Sequence, residues 1–197
     1  TGKANQYFLR GFNLDHGSDF TTYIDDVQMN FRSHGHGHGY LDLNGLIPEI
    51  IERQEYRKGP YRADGADFAL AGASYMVTLE GYDENWMAGE VGTHGWRRLA
   101  SGGTFDAGAG DLTLVGQLKT YNGAWQKSED LAHYSSFAKY AQPLSFGFLD
   151  FTMHGYYATW LPTEQIPERV IGSSICADKF CALDPSATGE TTRFISS

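Results

Sequence analysis

Apolar and polar residues alternate along the C-terminal part of the chain, from Trp86 onward. Leu112, Leu114 and Leu118 alternate with Thr113, Gln117, Lys119 and Tyr121, and the alternation returns further along the chain. There, Leu149, Phe151, Met153 and Tyr157 alternate with Asp150, Thr152, His154 and Tyr156. A period of two residues is typical of β-strands with one apolar and one polar face. The pattern predicts six strands, near residues 85–93, 96–106, 111–125, 135–142, 146–160 and 190–197.

The predicted connections between these strands alternate between short and long. Residues 106–111 and 142–145 have the composition of tight turns, whereas residues 126–134 and 161–189 form longer loops. Only the first strand pair, joined tightly near His94 and Gly95, departs from this rule. Short turns opposite long loops are typical of outer-membrane β-barrels. Alternation by itself, however, fits a soluble sandwich or a lipocalin-like barrel equally well.

The first eighty residues have a different pattern, so we expect two domains, residues 1–80 and 81–197. A short strand is predicted from Ser18 to Asp26, and another near residues 75–79. Between them, residues 41–52 carry apolar residues at helical spacing. Pro48 interrupts this span, which predicts a broken or single-turn helix.

Composition narrows the class of protein. An apolar content of 41% excludes a disordered tail, and 14% aromatic residues with 24 glycines are typical of antiparallel β proteins. The formal net charge is −9, and no basic patch is evident, which argues against a nucleic-acid partner. No run of eighteen apolar residues occurs, so the sequence predicts no transmembrane helix.

A His-Gly run, "SHGHGHGY" from Ser33 to Tyr40, is the sharpest chemical feature. On an extended backbone, His34, His36 and His38 would point to one side. Imidazoles in such a row suit Cu(II), Zn(II) or Ni(II), and flanking glycines allow the backbone to fold around an ion. Tyr40, and in principle His16 and His133, are further ligand candidates. The alternative is a structural loop, or a general ligand contact, without metal.

Cys176 and Cys181 are the only cysteines, and both fall in the longest predicted loop. A local disulfide there would fit an oxidising compartment. Two free buried thiols remain the alternative, and a zinc site is less favoured because no second ligand pair lies nearby.

Other polar groups predict no catalysis. One set of aspartates (Asp15, Asp19, Asp25, Asp26) and a second pair (Asp64, Asp67) lack the spacing of an EF-hand, so solvated turns are favoured over calcium sites. "GAS" at residues 72–74, with His154 as a base, does not form a nucleophile elbow. We therefore predict that the chain is not an enzyme.

Residues 9–72 resemble the C-terminal half of the plug domain of TonB-dependent outer-membrane receptors. The residues that carry the resemblance are Arg10-Gly11-Phe12, Ile51-Glu52-Arg53 and Gly59-Pro60. Lys58 stands where the family usually has arginine. In the family, plug arginines pair with barrel glutamates, so the resemblance implies that Arg10 and Lys58 lock plug to barrel. The stretch from Ile166 to Phe194 is similar to a barrel segment in a subgroup of these receptors.

The resemblance implies a mainly β chain, in which a plug with a small mixed sheet precedes the first strands, about six, of an incomplete transmembrane barrel. A whole receptor barrel has about 22 strands, so we expect a fragment, without the N-terminal box that contacts TonB. The implied function is TonB-dependent import of a scarce ligand across the bacterial outer membrane, with a metal chelate or siderophore favoured. TonB, outer-membrane lipid and the small ligand are the implied partners. The competing interpretations are a soluble β-rich metal-binding module and, with no nucleophile–base pair found, a surface hydrolase.

Overall fold

The computed structural model describes residues 5–65, 67–163 and 165–197, and within them the chain is β-structure joined by loops and short 3₁₀ turns. The chain divides into two compact units, with the division between Gly81 and Tyr82. Within the described ranges, no helix is long and apolar enough to cross a membrane. The prediction of a mainly β chain is confirmed.

The first unit contains a small mixed sheet. A pair of two-residue strands precedes it: β1 (Phe8–Leu9) and β2 (Phe12–Asn13). The sheet itself has four strands in the order β4-β3-β6-β5. Its central strands β3 and β6 are parallel, and the outer strands pair with them in the antiparallel sense. The strands are β3 (Phe20–Ile24), β4 (Val27–Gln28), β5 (Ile51–Lys58) and β6 (Gly72–Thr78).

Asp25 and Asp26 form the tight turn between β3 and β4. Both residues have left-handed backbones, with φ of 46° and 63°, a conformation that Asp tolerates better than most residues. The Asp25 carboxylate accepts hydrogen bonds from the backbone N–H of Thr78, at 2.8 Å, and from its hydroxyl. This acidic pair is therefore a turn that is tied to the end of β6.

The helical spacing over residues 41–52 gives one 3₁₀ turn, Pro48–Ile50, as the proline indicates. The helical spacing does not continue into a helix beyond this turn, because Ile51 is already extended, with φ −85° and ψ 115°, and begins β5. The apolar residues serve the core instead, since Leu41, Ile47 and Ile50 are almost fully buried. Packing in the unit's interior has overridden the local helical pattern.

The second unit is an antiparallel sheet in which each strand pairs with its neighbours in sequence. Two-residue turns join β8 to β9 and β10 to β11, whereas residues 122–130 and 161–188 form long connections. All six predicted strands are present. They are β7 (Trp86–Val91), β8 (Arg97–Ala107), β9 (Gly110–Tyr121), β10 (Leu131–Leu144), β11 (Gly147–Trp160) and β12 (Gly189–Ser196).

The turn predicted at residues 142–145 lies further along the chain, at Ser145-Phe146. Strand β10 continues through Pro143 and ends at Leu144. The pairing of β10 with β9 ends at Ala141, so Pro143 has only β11 beside it. Proline is tolerated at such an edge position because its missing N–H interrupts no ladder there.

The faces of the second sheet are inverted relative to a soluble protein. Leu149, Phe151 and Met153 are 49%, 53% and 44% exposed, whereas Thr152, which points to the opposite face, is 2% exposed. The same inversion holds in β8 and β9, where large apolar residues are exposed (Leu99, Leu114, Leu118) and polar residues are buried (Arg98, Thr113, Gln117). An extended apolar outer surface of this kind is what a barrel wall against lipid requires.

The two long connections of the second unit contact each other. The backbone N–H of Gln126 donates to the carbonyl of Phe180 at 3.0 Å, and the rings of Trp125 and Phe180 lie 5.9 Å apart. Cys176 and Cys181 form a disulfide inside the longer connection. The disulfide therefore lies next to the segment that packs on residues 122–130.

Replacing both Cys176 and Cys181 by serine is expected to lower the free energy of local unfolding of this connection by about 2 kcal/mol. The reason is that the disulfide no longer closes a short loop. The amides of residues 171–181 should then exchange with deuterium roughly 30-fold faster, the factor that corresponds to this free energy. Ser174→Ala, an exposed change in the same segment, is the control. Unchanged exchange in the double serine variant would show that the disulfide does not order the loop.

Candidate functional site

The His-Gly loop of the first unit is closed at its base by an isolated β-bridge between Phe31 and Tyr40. The N–H of Phe31 donates to the Tyr40 carbonyl at 2.9 Å, and the N–H of Gly39 donates to the Phe31 carbonyl at 2.7 Å. The next residue, Leu41, donates its N–H to the carbonyl of His16 at 2.8 Å. The loop is thereby held beside the segment that contains Asp15 and His16.

Asn30 organises the backbone under this loop. Its side-chain Nδ2 donates to three carbonyls, those of Gly17 (3.2 Å), Phe20 (3.1 Å) and Gly39 (2.9 Å), and its Oδ1 accepts the N–H of Thr22 at 2.8 Å. The side chain is buried, so these are the partners that replace water. One residue thus joins β3, the His16 segment and the end of the His-Gly loop.

Gly39 is required at the base of the loop. Its φ of +79° is costly for residues with a side chain, and a Cβ there would lie 2.7 Å from the Phe68 ring and 2.9 Å from the Ser18 carbonyl. A residue with a side chain is therefore disfavoured at position 39 both by the left-handed backbone conformation and by the steric clash of its Cβ.

The three histidines of the loop do not form one row. The expectation of an extended backbone is wrong, because a turn closes where the N–H of Gly37 donates to the His34 carbonyl. His34 stacks on Tyr40 at 4.1 Å between centroids, and its Nδ1 accepts the N–H of His36 at 3.1 Å. His38 donates from Nδ1 to the carbonyl of Arg32 at 2.9 Å.

His36 is instead brought to residues of the preceding segment. Its ring lies edge-on to the ring of His16, with 4.5 Å between centroids, and its Nε2 lies 3.8 Å from Oδ1 of Asp15. One ligand atom from each of Asp15, His16 and His36 lies within 4.8 Å of the others. His133, the other suggested addition, belongs to the second unit, where it is buried and hydrogen-bonded to Ser135.

Aromatic groups line the same surface. Tyr40 is half-buried and lies 5.6 Å from the His16 ring and 5.8 Å from the His36 ring. Tyr7 lies in the segment that precedes Asp15 and His16 in the chain. Its burial, reinforced by the Asp42 carboxylate, raises the pKa of its phenol to about 12. Tyr7 is therefore neutral at physiological pH.

Arg10 and the Gly59-Pro60 turn, far apart in sequence, border one depression of about 380 Å³ in the first unit. Arg10 is exposed in the turn between β1 and β2, with φ of 53°. Lys58 ends β5, and its ammonium lies 5.9 Å from the centroid of the Tyr56 ring. The predicted pairing of Arg10 and Lys58 with barrel glutamates stays a prediction.

Arg57, one position before Lys58, is held inside the first unit. Its guanidinium contacts Glu55 at 2.7 Å and Asp64 at 3.1 Å, and it lies 4.8 Å from the centroid of the Tyr75 ring. The hydrogen bond from Arg57 lowers the pKa of Glu55, and it also lowers the pKa of Asp64 against the opposing effect of desolvation. Arg57, unlike the adjacent Lys58, therefore has a structural role within the first unit.

Two comparisons identify the chain's relatives. Residues 1–73 match the family model of the TonB-dependent receptor plug domain. The fold is similar to that of the siderophore receptor PiuA from Acinetobacter baumannii, with 15% sequence identity and a TM-score of 0.56. That match covers 84% of this chain and 23% of the receptor, so the chain spans about a quarter of the receptor's length. The resemblance seen in the sequence is therefore confirmed: residues 1–73 match the plug domain of TonB-dependent receptors, and the fold of the chain is similar to that of part of a siderophore receptor.

Proposed function

We propose that this chain is part of a receptor that imports a scarce ligand across the bacterial outer membrane with energy from TonB. The observation that carries the proposal is the combination of a plug domain with a sheet whose apolar residues face outward. The competing soluble metal-binding module is disfavoured by that sheet, because Leu149 and Phe151 would lie in water.

The transported ligand is proposed to be a metal chelate or a siderophore. Support comes from the exposed histidines and Tyr40 on one surface of the plug, which offer metal ligands and aromatic contacts together. In the proposed receptor this surface faces the cell exterior, where the ligand first meets the protein. Arg10 and Lys58 then hold the plug by pairing with barrel glutamates.

The proposed mechanism is transport without chemical change of the ligand. Bound ligand shifts the plug between two states, and the shift is limited to the difference in ligand affinity between those states. TonB then opens a path through the receptor. The outer-membrane lipid is the remaining partner of the proposed receptor.

Uptake measurements test the proposal. Cells that express the full-length protein should accumulate a radiolabelled ligand from a panel of iron siderophores and of zinc, copper and nickel salts or chelates. Accumulation should disappear in an otherwise identical strain that lacks TonB, because the transport step needs its energy. Uptake that is independent of TonB, or recovery of the protein in the soluble fraction, would contradict the proposed function.

A further inference from the structure

We propose that Asp15, His16 and His36 form a binding site for one divalent transition-metal ion, Zn(II), Ni(II) or Cu(II). The site deepens the proposed function, because it would provide the first protein ligands of a transported metal. Only this physiological use depends on transport. Binding of the ion itself can be measured whether or not transport occurs.

The geometry of the three side chains suits a single ion. Ligand atoms about 2.1 Å from one metal lie at most about 4.2 Å apart. In the structure the three ligand atoms all lie within 4.8 Å of one another, and His36 Nε2 is 3.8 Å from Asp15 Oδ1. Asp15 and His36 are exposed, so side-chain rotations that move each ligand atom by about 1 Å would bring the three atoms to the spacing of a tetrahedral site, about 3.4 Å.

Two imidazoles and one carboxylate are a donor set that suits these metals and excludes Ca(II) and Mg(II), which prefer all-oxygen ligands. Three protein ligands leave at least one coordination position open on the ion. A chelating molecule or water can occupy that position, so the set can bind a metal that arrives with part of its own ligand shell.

His16 is oriented in the way that metal-bound histidines usually are. Its Nδ1 lies 3.2 Å from the carbonyl oxygen of Asn5, and a carbonyl can only accept a hydrogen bond. Nδ1 therefore carries the proton, and the lone pair is on Nε2. A backbone carbonyl that fixes the tautomer is the usual outer-shell partner of a metal-ligating imidazole.

The backbone brings the ligands together from two segments. Asp15 and His16 have consecutive left-handed conformations, with φ of 39° and 62°, which turn their side chains toward the loop. The bond from the N–H of Leu41 to the His16 carbonyl fixes that turn next to the base of the His-Gly loop. The site is thus built by the fold, not by the local spacing of histidines.

His34 and His38 are outside the site for different reasons. The Nδ1 lone pair of His34 already accepts the N–H of His36, and its ring is stacked on Tyr40. His38 is exposed and bonded through Nδ1 to the Arg32 carbonyl, away from the cluster. His38→Ala is therefore a matched control, since it removes an imidazole from the same loop.

Calorimetric titration of the full-length protein in detergent, with any histidine tag removed, tests the site with Zn(II), Ni(II) and Cu(II) salts. One ion should bind per chain, and His16→Ala, His36→Ala and Asp15→Asn should each weaken the affinity at least about tenfold. His38→Ala should change the affinity less than about twofold. A Cu(II) electron paramagnetic resonance spectrum should show two coordinated nitrogens in the wild type and one in His36→Ala.

Three results would overturn this site: no binding by the wild type, equal affinity in His36→Ala, or a loss as large in His38→Ala as in His36→Ala. Thermal unfolding of each variant separates loss of a ligand from loss of the fold. Metal binding without TonB-dependent uptake would support the metal site and contradict only the transport proposal. TonB-dependent uptake of a ligand without metal binding would support transport and contradict only the metal site.

Discussion

Phe151→Arg is expected to destabilise the protein in a lipid bilayer by about 2–4 kcal/mol, the cost of arginine on the lipid face of a barrel near the midplane. Phe151 is 53% exposed on the apolar face of β11, between Leu149 and Met153. The arginine would place a charge among lipid tails, where neither water nor a counter-charge is available. Denaturant unfolding of the full-length protein in lipid vesicles measures this loss, which should be accompanied by poor assembly into the outer membrane.

Asp150→Arg is the matched control for this prediction. Asp150 is the adjacent residue, and its side chain points to the opposite face of β11 because successive side chains alternate. Its replacement by arginine should cost no more than about 0.5 kcal/mol, the range for surface substitutions in general. Equal effects of the two variants, or a tolerated Phe151→Arg, would mean that the apolar face does not lie in lipid.

Asn30→Leu is expected to destabilise the plug by at least about 3 kcal/mol, because it leaves the Thr22 N–H and three carbonyls without the partner that now satisfies them. The loss should be greatest in the His-Gly loop, since the Gly39 carbonyl is one of the three acceptors of the Asn30 amide. Hydrogen–deuterium exchange of residues 14–41 in the full-length protein should accelerate roughly 100-fold or more, the factor that corresponds to this free energy.

Two variants show whether the number of hydrogen bonds sets this cost. Asn30→Asp retains the acceptor for Thr22 but turns the three donor contacts into repulsions, so it should be as damaging as the leucine. Gln54→Ala removes a single bond, from its amide to the Ser74 hydroxyl, and should cost about 1 kcal/mol. An Asn30→Leu variant with unaltered exchange would show that the loop is ordered by other contacts.

The strands of the second unit could be predicted from the sequence because each strand has apolar side chains on one face and polar side chains on the other. Leu149, Phe151 and Met153 occupy alternate positions of β11, as a period of two requires. Which face meets lipid could not be derived in this way, because the same alternation fits a soluble core. The predicted end of β10 is too early because proline usually ends a strand. Pro143 is tolerated within β10 because the neighbouring strand β9 has already ended, which the sequence does not indicate.

The ligand surface was predicted less well, because its parts meet through the fold. The spacing of His34, His36 and His38 describes an extended chain, whereas the loop turns and brings His36 to His16. Asn30 has no local signal at all: its three carbonyl partners lie 9 to 13 residues away. The role of a buried asparagine after a strand can be recognised only when the positions of the backbone segments that it joins are known.

In the proposed receptor, β11 and its neighbours form part of a barrel wall with lipid on one side. Spin labels placed singly at residues 149–154, in a variant with Cys176 and Cys181 replaced by serine, test it in vesicles. Accessibility to oxygen, which is enriched in lipid, should be high at 149, 151 and 153 and low at 150, 152 and 154. A profile without this alternation, or one with the opposite phase, would contradict the placement of this face of β11 in lipid.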